Sequence, residues 1–155
     1  MREPVRLWKA EIGGGFGGVT VSEGRVYVMD RPKSPADTER VLCFKAESGE
    51  KLWVHEWSAD YADMDHGTGP RASMTIHEQR AYALGAAGMA LCLDAVTGKV
   101  IWQADTVKDH GAKVPTWGFA ASPVIDGARV LLHVGAQPEG SVIALDKLTG
   151  KLVWR

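Results

Sequence analysis

Short runs of alternating apolar and polar residues recur in the same order three times along this chain. Each series opens with GGVTV (17–21), ASMTI (72–76) or ASPVI (121–125). A tight turn follows: SEG (22–24), HEQ (77–79) or DGA (126–128). An arginine then starts a second run: RVYVM (25–29), RAYAL (80–84) or RVLLHV (129–134). A variable loop leads to a third: RVLCF (40–44), MALCL (89–93) or SVIAL (141–145). Period-two alternation, β-branched residues and turn-forming punctuation predict strands. No segment carries a 3.6-residue apolar stripe long enough to predict a helix.

A fourth run closes each series with almost the same phrase: KAESGEKLW (45–53), DAVTGKVIW (94–102) and DKLTGKLVW (146–154). Asp94 and Asp146 have the side chain to accept backbone amides two or three residues on, which closes a turn. Gly49, Gly98 and Gly150 supply the left-handed residue that a bulged hairpin needs. Lys45 stands where the other units have aspartate, so the first turn is expected to be the least rigid. Trp53, Trp102 and Trp154 each bring roughly 150–250 Å² of ring surface to cover a neighbouring sheet. Trp8, in VRLWKAEI, reads as the same strand of a preceding unit. A recurrence of roughly 50 residues marks a repeat architecture.

Four short antiparallel strands per unit, repeated radially, make an all-β propeller. The expected layout is a blade-closing strand at 5–12 and three blades at 13–57, 69–105 and 117–155. A sandwich of about 12 strands would explain the alternation but not the turn-plus-Trp phrase at fixed phase. The phrase A-x-D-x-x-T-G-K-x-x-W, ending a four-stranded unit, resembles the pyrroloquinoline quinone (PQQ)-like repeat with its tryptophan-docking blades. LDAVTGKVIW (93–102) and ALDKLTGKLVW (144–154) match it closely, and CFKAESGEKLW (43–53) departs at Lys45. The resemblance implies a propeller, and in character the non-catalytic members, such as the lipoprotein subunit of the outer-membrane β-barrel assembly machinery. By the same resemblance an extracytoplasmic, periplasmic location is expected, although no signal peptide is visible at the N-terminus.

The family's enzymes would require PQQ and a Ca²⁺ held by acidic and amide side chains, and usually a vicinal cysteine pair. The chain has no Cys-Cys and no asparagine, and it holds three blades where closed propellers have roughly four to eight. No cofactor is therefore expected in this chain, with PQQ and Ca²⁺ belonging to the alternative that it is a section of a quinoprotein dehydrogenase. Near-balanced charge (net −1) gives no case for nucleic acid. No apolar run approaches the ~20 residues of a membrane span. Cys43 and Cys92 occupy equivalent strands, too far apart for the ~4.4–6.8 Å that a disulfide needs, and read as small buried hydrophobes.

Long connections collect on one propeller face: DRPKSPADTE (30–39), VHEWSADYADMDHGTGP (54–70), QADTVKDHGAKVPTWG (103–118) and GAQPEG (135–140). Any site is expected there, because elaborated loops on a rigid scaffold carry binding residues. Two of these loops contain Asp-His-Gly, at Asp65-His66-Gly67 and Asp109-His110-Gly111. With Asp63 these form a candidate ligand face, or else polar residues that cap turns. Arg71 suits an anionic group, or a salt bridge to Asp63 or Asp65. Trp117 and Phe119, with Phe16, suit core or rim packing, or a stacking wall. Ser73 and Ser122 lack the context of a nucleophile. GGGFGG (13–18) precedes a strand rather than a helix, so it reads as a tight crossing and not a dinucleotide loop.

The sequence therefore predicts a non-enzymatic binding or assembly scaffold. Its expected partners are the remaining blades of a larger propeller or a second copy of itself, with a protein partner at the loops. A self-complementing structural oligomer is a further alternative, because uncapped terminal blades expose apolar faces.

Overall fold

A computed structural model of the chain describes residues 5–35, 37–136 and 140–155. It contains three four-stranded antiparallel sheets, each a meander. The first is β1 (Thr20–Ser22), β2 (Arg25–Asp30), β3 (Thr38–Lys45) and β4 (Lys51–Ser58). The second is β5 (Thr75–His77), β6 (Arg80–Leu84), β7 (Met89–Asp94) and β8 (Val100–Asp105). A short helix, α1 (Thr106–His110), precedes the third: β9 (Val124–Asp126), β10 (Arg129–Ala136), β11 (Gly140–Asp146) and β12 (Leu152–Trp154). These are three blades of a β-propeller.

The core lies between sheets rather than at one centre. Alternation along β2 and β3 sends Tyr27, Met29, Val41 and Cys43 towards Ala81, Ala83, Leu91 and Leu93 of the second blade. The next interface sets Tyr82, Leu84 and Cys92 against Val130, Leu132, Ile143 and Leu145. On its other side the first blade buries Val28, Leu42 and Phe44 against Ala10. Both cysteines are free and buried. Burial pushes each thiol up to about 11, which leaves them inert at neutral pH.

The tryptophans join one blade to the next. Trp53 of blade one donates its Nε1–H to the carbonyl of Ala95 (3.3 Å), and Trp102 of blade two donates to Lys147 (3.0 Å). Trp8 makes the same bond to Ala46 at 2.8 Å. Each ring lies flat on the turn glycine of the receiving blade, so that a Cβ on Gly49, Gly98 or Gly150 would sit 2.6–2.7 Å from indole carbons. These glycines also have φ of 72–73°. Their conformation and their smoothness are thus both required.

The aspartate turns form as expected. Asp94 accepts from Val96 N, Thr97 N and Thr97 Oγ1, and Asp146 from Leu148 N, Thr149 N and Thr149 Oγ1. The Thr97 amide and hydroxyl hold the Asp94 carboxyl below its usual range, as the Thr149 hydroxyl and amide do for Asp146. At Lys45 those three bonds are missing. The turn keeps its backbone pair and a 3.3 Å bond from Glu50 N to Ser48 Oγ.

Three expectations need correction. Residues 5–12 pair with no strand, although Trp8 still docks. The strands β3 and β4 run further than the sequence indicated, so Thr38, Glu39 and residues 54–58 belong to the sheet rather than to loops. A helix occupies part of 103–118: Asp105 caps it through Val107 N and Lys108 N, and Gly111 ends it at φ 68°. Part of the 135–140 loop lies outside the described residues.

Glycine substitution tests the docking geometry. Gly98→Ala is expected to lose about 2–4 kcal/mol in urea unfolding, from left-handed strain plus the displaced Trp53 ring. Gly127→Ala, at φ 56° with nothing within 4 Å, is expected to lose only about 1–2 kcal/mol. Equal losses would remove the ring contact from the explanation.

Candidate partner-binding face

The loops after β2, β4, β6 and β8 emerge on one face, and four backbone contacts fix them. Gly14 and Arg31 exchange two backbone bonds at 2.8–2.9 Å. Asp65 N donates to Thr116 O (2.8 Å), joining the two inter-blade loops. Phe119 N donates to Ala86 O and Thr106 N to Gly88 O. The glycine run is a tight crossing: a Cβ at Gly13, Gly14 or Gly17 would lie 2.1–2.3 Å from the carbonyl oxygens of Arg31, Thr68 or Ala72.

Two arginines clamp the 65–69 segment by its carbonyls. Arg71 donates to Asp65 O (3.1 Å), His66 O (2.8 Å) and Gly69 O, and Arg31 donates to Gly67 O. Both guanidiniums also lie over Tyr61, at 4.0 Å for Arg31 and 5.6 Å for Arg71. Arg71 further covers Phe16 at 5.7 Å. The expected salt bridge from Arg71 to the Asp63 or Asp65 carboxylate is not formed. Its donors go to main chain instead, because the bend at His66 (φ 52°) turns those carbonyls inward.

Beneath Tyr61 lies a carboxylate that sequence reasoning missed. Glu39 is fully buried. Its Oε1 accepts from Tyr61 O–H (2.5 Å) and from Ala86 N (2.9 Å), and its Oε2 accepts from Trp57 Nε1 (3.0 Å). The Ala86 bond crosses to the second blade. Gly85 makes room for it, since a Cβ there would meet Oε2 at 2.2 Å. Burial pushes the Glu39 carboxyl above its ordinary value, against the three donated bonds and the Arg71 charge. Asp30, also fully buried, is paired with Arg40 at 2.8 and 2.6 Å and accepts from Gly13 N. Both carboxylates are structural fasteners for the loop face.

The remaining candidates divide. Asp109 accepts from Asp105 N (2.9 Å) and is committed to the start of α1. His110 closes that helix, and its Nδ1 is buried without a partner. The two Asp-His-Gly stretches are therefore not equivalent: His66 takes a left-handed bend where His110 is helical. Phe119 is buried in the interface between the second and third blades. Trp117, two residues away, is 64 % exposed. Asp63 lines a cleft of about 600 Å³ with Asp60, Met64, Met89 and Lys108. Among the described residues no three His, Cys, Asp or Glu side chains gather to hold a metal.

The signal for Glu39 was present in the sequence. It stands two and four residues before Val41 and Cys43, on the alternation that faces the second blade. Its fastening role has a measurable pH signature. A carboxyl whose folded pKa is raised holds more protons in the native state, so stability falls as pH rises from about 4.5, the ordinary value, through the folded pKa. Glu39→Gln is expected to flatten that slope in urea titrations between pH 4 and 8. It is also expected to lose about 1–3 kcal/mol at acidic pH, because its NH₂ opposes one of three donors. An unchanged slope would place the titration elsewhere.

Comparison with known proteins follows the same architecture. A family model described as "Outer membrane protein assembly factor BamB" matches residues 6–113 and 37–155. The protein of that name from Kangiella koreensis is 23 % identical over 117 residues, spanning 74 % of this chain and 26 % of that protein. Quinohemoprotein alcohol dehydrogenase ADH IIB of Pseudomonas putida is 29 % identical over 143 residues, spanning 89 % of this chain and 18 % of that enzyme. The crystal structure of BamB from Moraxella catarrhalis superimposes with a TM-score of 0.60 at 23 % identity, covering 89 % of this chain and 35 % of that one. The chain thus spans about a quarter or less of the length of these two curated relatives. With its Trp-docked four-stranded blades, it belongs to the PQQ-like β-propeller family of the outer membrane protein assembly factor BamB.

Proposed function

We propose that this chain is part of a non-enzymatic propeller scaffold, outside the cytoplasm, that offers its loop face to a protein partner in outer-membrane protein assembly. The observation that carries this reading is the setting of Trp117. Its ring is 64 % exposed, yet its backbone is held on both sides. Thr116 O accepts from Asp65 N, and Phe119 is buried with its N–H on Ala86 O. An exposed aromatic on a fixed backbone costs little entropy to bind, which is the character of an interface hot spot. The family match and the BamB relatives favour assembly as the context.

The likeness to a quinohemoprotein dehydrogenase favours a second reading, a section of a PQQ enzyme. What weighs for the scaffold over that reading is that the charged groups of the face are already committed within the chain: Arg31 and Arg71 donate to backbone carbonyls, and Glu39 and Asp30 are each held by hydrogen bonds.

A photo-crosslinking residue placed at Trp117 in cells is expected to give a discrete adduct with an outer-membrane assembly protein. The same group at Val96, an exposed turn position on the opposite face, is expected to give none. Trp117→Ala is expected to weaken that contact about tenfold or more, without loss of stability. Saturable binding of PQQ with Ca²⁺, together with dye-coupled alcohol oxidation, would favour the enzyme.

A further inference from the structure

The junction between the first and second blades opens onto the loop face as the cleft of about 600 Å³. Its floor and walls are Trp57, Met64, Ala87, Met89, Val107 and Val114. Met64, Ala87 and Met89 pack on the buried cluster of that junction, so the floor is core that surfaces between two blades. It is held from several sides. Trp57 Nε1 donates to the buried Glu39, and Met64 N donates to Tyr61 O (3.1 Å). Met89 lies on β7, and Val107 on the capped helix α1. A preformed apolar cleft of this size has the character of a recognition pocket. Every residue that lines it lies between Trp57 and Val114, so its shape does not depend on either end of the chain.

The rim carries charge. Asp105 caps α1 and pairs with Lys108 (3.2 Å), so those two neutralise each other. Asp60 uses Oδ1 to accept from Ala62 N (2.9 Å). Asp63 makes no hydrogen bond or ion pair among the described residues. Two carboxylates thus stand at the mouth with no cation of the described residues paired to them. A purely apolar group entering the cleft would strip water from them without replacing it, and an anionic group would be repelled. A basic side chain meets both zones. Its methylene stem covers the apolar floor while its charged head reaches the aspartates.

We infer that this cleft receives a basic side chain, flanked by apolar residues, from the protein partner of the loop face. The inference rests on the reading of that face as a partner-binding surface and supplies the partner's chemistry. The cleft and Trp117 belong to one patch. Gly118 lies against Met64, where a Cβ would sit 2.9 Å from Sδ. The cleft is also wider than a single side chain, so the neighbours of the basic residue share it with Trp117 beside them. Trp117 then supplies the aromatic anchor, and the two aspartates select for charge.

An end-capped hexapeptide with one arginine between leucines, titrated into the 155-residue chain, tests this. Saturable binding is expected, with shifts of the Met64 and Met89 methyl signals in NMR spectra. The same peptide with citrulline, which keeps the shape and loses the charge, is expected to bind about tenfold more weakly. Asp60→Asn and Asp63→Asn are each expected to weaken binding about threefold without changing the unfolding midpoint. The asparagine oxygen at position 60 still accepts from Ala62 N. Val114→Lys, which places a cation in the chain's own cleft at an exposed position, is expected to abolish binding. No binding, equal binding of the citrulline peptide, indifference to both aspartate variants, or shifts confined to other methionines would each overturn the inference. Equal affinity for arginine amide alone would mark a small-cation site and overturn it too. The titration needs no cellular partner, so it is read separately from the Trp117 adduct. An adduct that forms unchanged in the doubly substituted Asp60→Asn, Asp63→Asn chain would overturn this inference and leave the partner-binding reading standing. Peptide binding without any adduct would support the cleft and count against the assembly partner alone.

Discussion

The rest of the fold depends on an indole lying flat on a glycine. A propeller blade has no core of its own; its apolar residues are covered only when another sheet packs on them. The docked tryptophan fixes how that packing happens. Its ring needs a flat seat, which limits the turn residue to glycine, and its N–H needs a carbonyl three residues earlier. The aspartate turn places that carbonyl. Its side chain gathers the amides of residues two and three positions on, leaving the second residue of the turn free to present its oxygen to the incoming blade. One local motif thereby sets the spacing and rotation between sheets, and the alternating strands fill the space it defines.

The loop face is held by a different means. There, carboxyl groups are buried among the rings. An isolated buried carboxylate is costly, and both Glu39 and Asp30 are accommodated by saturating them with donors. Tyr61, Trp57 and Ala86 surround the first, while Arg40 and Gly13 surround the second. One donor to each is its cross-strand neighbour, Trp57 for Glu39 and Arg40 for Asp30, while Tyr61 and Ala86 tie the first, and Gly13 the second, to segments outside the sheet. The arginine clamps extend the same logic upward, converting the 65–69 carbonyls from an outward-facing polar edge into partners for Arg31 and Arg71. What remains at the surface is a shaped backbone with one exposed tryptophan.

The repeat architecture was legible because it is local. The turn phrase, the left-handed glycines and the apolar alternation all act within ten residues, so sequence alone locates the three blades. The loop face was legible only in outline. In the sequence the third strand reads as starting at Arg40, which leaves Glu39 in a loop, although the strand's alternation reaches back to it and carries its carboxyl into the interface. Arg71 reads as an ion-pair donor in the sequence, which displays carboxylates but not the direction of carbonyls. The five-residue α1 escaped because so short a helix has no apolar stripe, although Asp105 and Gly111 mark its two ends. Trp117 and Phe119 look alike in sequence; only the bend at Gly118, at φ 69°, sends one inward and leaves the other out.

In the third blade Leu131 and Val124 stand where the first two blades have Tyr27 and Tyr82, and Thr20 and Thr75, so the junctions are not interchangeable. If apolar covering were the whole of blade packing, tyrosine and threonine at the internal junctions would add nothing. Instead they place hydroxyl donors on carbonyls that packing would otherwise bury unsatisfied or half satisfied. A junction built with those donors penalises any partner blade whose carbonyls do not align, whereas one built from leucine and valine tolerates displacement along the interface. The polar ladder therefore fixes register within the three blades.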